Sequence, residues 1–170
     1  MSILNVEIKA RCSNPDYIRS VLQDHNADFK GTDHQIDTYF DVPEGRLKLR
    51  QGTIENNLIF YKRDNQSGPK ASSIHSVPAE HPEKLHALLD NALGTKVVVD
   101  KEREIYFIDN VKFHIDQVKE LGSFVEIEAI DEDGSIGKSN LQQQCEKYIE
   151  LFNISDEQLL SHSYSDMLNS

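Results

Sequence analysis

Several short stretches of this chain place charge on every second residue. In "NVEIKA" (Asn5–Ala10), Asn5, Glu7 and Lys9 share one face of an extended segment, and Val6, Ile8 and Ala10 take the other. "GRLKLRQ" aligns Arg46, Lys48 and Arg50 against Leu47 and Leu49, while "FVEIEAI" aligns Glu126 and Glu128 against Val125 and Ile127. Lys101 aligns with Arg103 in "KEREIYF", and His114 with Asp116 in "KFHIDQ". One such strand is accounted for by a half-solvated antiparallel sheet. Recurrence admits a second arrangement, a barrel closed with its charged faces inward. Charges gathered in a lumen need partners. A polyanion with a divalent cation satisfies both sets: carboxylates offer hard oxygen ligands, and Arg and Lys grip phosphate oxygens.

The elements that must position these residues are mostly strands. "LNVEIKAR", "IDTYFDV", "RLKLRQG", "LIFYKR", "SSIHSV", "DKEREIYFI", "VKFHIDQV" and "SFVEIEAI" alternate or carry β-branched and aromatic residues. Turns at Pro43–Gly45, Glu55–Asn57 and Asp109–Asn110 are short enough for antiparallel hairpins. About eight strands suffice to close a barrel. Three helices interrupt them. Asn14 caps one that starts at Pro15, a second runs from Pro82 to Gly94 and buries Leu85, Leu88, Leu89 and Leu93, and Ser139 opens a third. A helical turn from Ser155, with Gln158 in capping-box position, follows. The expected fold is α+β: an eight-stranded antiparallel β-barrel with helices packed outside. "DNQSGPKASS" (Asp64–Ser73) is the most loop-like stretch, but it is short, so residues 1–170 are read as one domain.

The chain has 170 residues and a net charge of −11, which disfavours nucleic acid and anionic membranes as partners. A local basic cluster in so acidic a chain therefore reads as an anion site. The sequence has no apolar run of bilayer-spanning length and no signal-peptide pattern at its start. Cys12 and Cys145 lack metal-ligand or disulfide-framework spacing, so a cytoplasmic protein with reduced thiols is expected.

In order along the chain, "VEIKA", "GRLKLR", "YKR", "EREIYF", "GSFVEIE" and the near-terminal "SYSDML" resemble the CYTH family of triphosphate tunnel enzymes, which includes class IV adenylyl cyclases and thiamine triphosphatases. The resemblance spans nearly the whole chain and implies an antiparallel tunnel binding a triphosphate with Mg²⁺ or Mn²⁺. It implies metal ligation by Glu7, Asp116, Glu126 and Glu128. It implies phosphate binding by Lys9, Arg46, Lys48, Arg50, Lys62, Lys70 and Arg103, with Lys9, Arg50 and Arg103 stabilising charge during transfer. Lys62 is preferred to Arg63 as the match to the family lysine; the two point to opposite faces of their strand. The family's opening E-x-E-x-K has Asn5 in place of its first acid, which weakens a second metal position. The expected reaction is hydrolysis of an inorganic or organic triphosphate, with ATP, thiamine triphosphate and tripolyphosphate as candidates. The alternatives are adenylyl cyclisation of ATP and triphosphate binding without turnover. A plain interaction domain with a wet charged sheet is the fourth reading.

Other patterns carry less. Gly137-Lys138-Ser139 lacks the glycine a phosphate loop needs five residues earlier, where Glu132 stands. His81 and His86 do not form H-E-x-x-H, and His114 is expected to make a structural hydrogen bond.

Overall fold

A computed structural model describes residues 3–63 and 65–169; Asp64, the first residue of the loop-like stretch, lies outside the described residues. Its strands are β1 (Ile3–Arg11), β2 (Asp28–Phe40), β3 (Arg46–Gln51), β4 (Asn56–Lys62), β5 (Lys70–Pro78), β6 (Thr95–Ile108), β7 (Val111–Val118) and β8 (Gly122–Asp131). They hydrogen-bond in the order β1-β5-β4-β3-β2-β6-β7-β8 and close on themselves, every pairing antiparallel. Closure explains the alternation in the sequence. Each strand turns one face to a lumen and the other to the layer outside.

The outer faces are apolar where helices cover them. α1 (Pro15–Asp24) and α3 (Lys138–Leu151) bury Ile18, Leu22, Leu141, Cys145 and Tyr148 against Val6, Ile8, Phe113, Ile115, Val125 and Ile127. Phe113 meets the rings of Tyr148 and Phe152 edge-on at 4.8 and 5.6 Å between centroids. Burial of each such side chain contributes about 1.5–3 kcal/mol. α2 (Pro82–Leu93) lies over Phe40 and Leu49 through Leu85 and Leu89. The expected burial of Leu88 and Leu93 is corrected: they are 61% and 38% exposed, because α2 rests on the barrel by a narrow stripe.

A short α4 (Tyr164–Leu168) plugs one end of the barrel. Ser163 and Asp166 close a capping box, Ser163 Oγ accepting from the Asp166 amide and Asp166 Oδ2 from the Ser163 amide, both at 3.2 Å. Tyr164 then enters the barrel and packs with Tyr39, Val99, Val118 and Phe124.

Boundaries differ from expectation in a few places. β2 begins at Asp28 rather than near Ile36 and pairs along β6 with a shift at Phe29/Gly31. The β3–β4 turn falls at residues 52–55 rather than Glu55–Asn57, since Gln51 already pairs with Asn56. α3 starts at Lys138 after a Gly137 cap, one residue before Ser139. Around Ser155, Gln158 Oε1 accepts from the Ser155 amide at 2.8 Å, but no α-helix is built there.

Candidate functional site

The lumen encloses a cavity of about 260 Å³. Glu7 and Lys9 enter it from β1, Lys48 and Arg50 from β3, Arg103 from β6, and Glu126 and Glu128 from β8. Register aligns these walls: Glu7 lies opposite Glu128, and Lys9 opposite Glu126.

Two ion clusters organise the cations. Asp37, fully enclosed on β2, accepts from Arg50 Nε and Nη2 at 2.9 Å each and from Lys101 Nζ at 2.7 Å, with Lys48 Nζ at 3.4 Å. Burial opposes the Asp37 charge, but Arg50, Lys101 and Lys48 outweigh it and hold the carboxyl well below its usual range. Asp116 on β7 accepts from Arg103 Nε and Nη2 at 2.8 Å each and from the Tyr164 hydroxyl at 2.7 Å. Arg103 also reaches Glu126 at 3.1 Å. Burial disfavours the Glu126 charge, yet Lys9 and Arg103 hold its carboxyl well below the usual value.

Lys9 is buried with its ammonium 3.9 Å from Glu126 and 3.7 Å above the centre of the Tyr164 ring. Burial lowers its pKa, partly offset by Glu126. Lys70 is likewise buried, its ammonium donating to the carbonyls of Gln66 and Ser161 at 3.4 and 3.2 Å. Burial and the nearby charges of Arg63 and Lys9 bring Lys70 down to about 8.

Three expectations about placement change. Lys62 points out of the barrel, where it pairs with Glu44 at 2.9 Å, while Arg63 lines the lumen and pairs with Glu7. The cause is register. Arg50 pairs with Asn57 and Lys48 with Ile59, so Asn57, Ile59, Tyr61 and then Arg63 face inward. Arg46 stays at the plugged end rather than lining the main cavity, bonded to Asp166 at 2.6 Å. His114 lacks the expected structural hydrogen bond: neither ring nitrogen has a hydrogen-bond partner within 3.5 Å among the described residues, and Nδ1 makes only a longer contact with Glu126 at 3.6 Å. Its neighbour Asp116 forms with it and Glu126 a potential ligand group within 4.8 Å, although Arg103 and Tyr164 already occupy the Asp116 oxygens.

Sequence reasoning passed over Asp37, Glu55, Arg63, Lys101, Lys112 and Tyr164 as site residues. Lys101 and Lys112 were legible by parity, since they share faces with Arg103 and with His114. Glu55 was hidden by the misplaced turn. It bonds Lys112 at 2.5 Å and Arg50 at 3.2 Å, and these two cations overcome burial to depress its pKa. Asn5 is buried and donates to Glu128 Oε1 at 2.7 Å, while its own Oδ1 has no partner among the described residues.

The fold is a closed antiparallel tunnel whose lumen is lined by basic side chains opposite paired glutamates. The chain belongs to the CYTH domain family, whose model matches residues 4–164. The candidate adenylate cyclase MJ0240 of Methanocaldococcus jannaschii is 27% identical over 97% of this chain and 98% of its own. Among solved structures, the PH1012 protein of Pyrococcus horikoshii superposes with a TM-score of 0.82 at 23% identity, covering 98% of each chain. HpAC1 of Hippeastrum, described as a candidate adenylyl cyclase with a dominant triphosphatase activity, has a TM-score of 0.58 at 14% identity over 96% of this chain and 93% of that one. The structural matches reflect the shared fold.

Proposed function

We propose that the protein is a divalent-metal-dependent enzyme that hydrolyses a triphosphate held in the lumen. The observation that carries this reading is the sharing of one buried carboxylate, Asp37, by Arg50, Lys101 and Lys48, a local excess of positive charge inside a chain of net charge −11. Enclosed cations with too few acids call for an anion from outside, and a phosphate chain supplies several charges in a row. Arg50, Arg63 and Arg103 offer paired N–H donors to phosphate oxygens, and Lys9, Lys48 and Lys70 offer point charges. Lys9, Arg50 and Arg103 stabilise the charge that develops on the leaving phosphate.

The residues also fit a divalent cation, Mg²⁺ or Mn²⁺. The unpartnered Asn5 Oδ1 is a buried acceptor beside Glu128, and Glu7 and Glu126 stand on the same walls. Asn5, Glu7, Glu126 and Glu128 would hold it, with Asp116 orienting Arg103. When bound, such a cation polarises phosphoryl oxygens and lowers the pKa of water.

Cyclisation of ATP is the second reading, favoured by the likeness to the M. jannaschii protein named as a candidate adenylate cyclase. Both reactions use the same acids and bases. A screen of ATP, tripolyphosphate and thiamine triphosphate with Mg²⁺ and Mn²⁺ separates them. Orthophosphate release supports the hydrolase, whereas cyclic AMP with pyrophosphate replaces it by the cyclase. Binding without turnover at either metal reduces the protein to an anion-binding module.

A further inference from the structure

Four isoleucines face the lumen at the end away from the Tyr164 plug. Ile130 on β8, Ile3 on β1, Ile74 on β5 and Ile59 on β4 come from four consecutive strands of the barrel wall. Ile3 pairs directly with Ile74. Ile59 lies diagonal to Ile74, since Tyr61 pairs with Ile74 and Ile59 with Ser76. Ile130, paired with Asn5, is diagonal to Ile3. Diagonal neighbours lie roughly 7–8 Å apart, so the four line one stretch of the wall as an apolar shelf.

None of the four belongs to the packed clusters beneath the helices or around the plug, among the described residues. Each is only half-buried and borders the cavity. A lumen that served phosphate alone would have polar side chains at these positions, because apolar surface facing a wet tunnel is unfavourable by about 25 cal/mol per Å². The shelf also continues directly from the charged rows. At the usual strand rise, Ile130 sits roughly 13 Å beyond Glu126, and Ile74 the same distance beyond Lys70. Asn57, Ser72 and Ser76 supply polar groups around its edge.

Resting on the triphosphate reading above, we propose that the isoleucine shelf seats the organic group of a triphosphate ester. The protein then selects esters carrying an apolar or aromatic group over inorganic tripolyphosphate. The phosphates lie toward Lys9, Arg63 and Lys70, and the organic group lies on Ile3, Ile59, Ile74 and Ile130.

The test is calorimetric binding in a chelating buffer, so that no turnover intervenes, with methyl triphosphate and ATP as probes of equal charge type. The unaltered protein binds ATP about tenfold or more tighter than methyl triphosphate, and Ile74→Ser removes about tenfold of that preference. Methyl triphosphate binding by the variant stays within about twofold, which also reports an intact lumen. Equal affinities of the unaltered protein for the two probes overturn the shelf while leaving the triphosphate reading standing. A variant that keeps the full preference for ATP overturns it too. Failure of both probes to bind the unaltered protein, in chelator and again with Mg²⁺ added, overturns the triphosphate reading, and the shelf with it.

Discussion

Lys62 and Arg63 are neighbours in sequence and lie on opposite sides of the barrel wall. Lys62 meets Glu44 outside, with 59% of its side chain exposed, and Arg63 meets Glu7 inside, with 7% exposed. A charge-assisted hydrogen bond is worth about 1.5–3 kcal/mol, so Arg63→Met should weaken tripolyphosphate binding by roughly 10- to 100-fold. Lys62→Met should leave it within about twofold, since exposed ion pairs contribute little. Calorimetric titration of both variants decides the point, and equal losses would contradict the inward placement of Arg63.

That pair also marks where the sequence stopped being readable. Strand count, closure and the charged faces of β1, β3 and β8 were legible, because Val6/Ile8, Leu47/Leu49 and Val125/Ile127 alternate cleanly with charge. β4 was not: "LIFY" is apolar on both faces, Leu58 and Phe60 outside and Ile59 and Tyr61 inside, so parity alone left the inward residue undetermined. Register depends on the turn, and the turn depends on Asp33. That carboxylate lies far from residues 52–55 in sequence and reaches them only because β2 runs on to Asp28.

Asp33 is a socket for the β3–β4 turn. Its oxygens accept from the amides of Thr53, Ile54 and Glu55 and from the Thr53 hydroxyl and Gln35 amide, at 2.6–2.9 Å. A Cβ on Gly52 would come within 2.6 Å of the Glu55 carbonyl and 2.7 Å of Asp33. Asp33→Ala and Gly52→Ala should each lower stability by about 2–4 kcal/mol in urea unfolding. Because the socket fixes Glu55 on Lys112 and Arg50, both variants should also loosen those ion pairs. Unchanged stability in both would show that the turn does not need the socket.

Lys70 gives the lumen a pH response. Its folded value is about 8, and an unfolded lysine titrates at about 10.4. Between these values the unfolded chain holds the proton and the folded one has released it. Lys70 therefore adds stability as pH rises through that window, while the proposed triphosphate binding should weaken as its charge is lost. Near pH 8, binding of tripolyphosphate should take up about half a proton, which calorimetry in two buffers of different ionisation enthalpy measures. Lys70→Met should abolish the uptake. Proton uptake that survives in the variant would assign it to another group.

Asn5 tests the proposed cation site. Asn5→Asp places a buried carboxylate beside the half-buried Glu128, and an uncompensated buried charge costs about 3 kcal/mol. A divalent cation should restore that loss, so Mn²⁺ should raise the melting temperature of the variant more than that of the unaltered protein. Equal shifts would remove Asn5 from the cation's surroundings.

The reaction itself is tested most directly by following ³¹P NMR spectra of the protein with ATP, tripolyphosphate and thiamine triphosphate in Mg²⁺ or Mn²⁺. The predicted result is orthophosphate growing in at the expense of at least one triphosphate, at a rate reduced at least about 100-fold by Arg50→Ala. Spectra that stay unchanged with every substrate and metal, or orthophosphate release that Arg50→Ala leaves intact, would contradict a triphosphate hydrolase in this lumen.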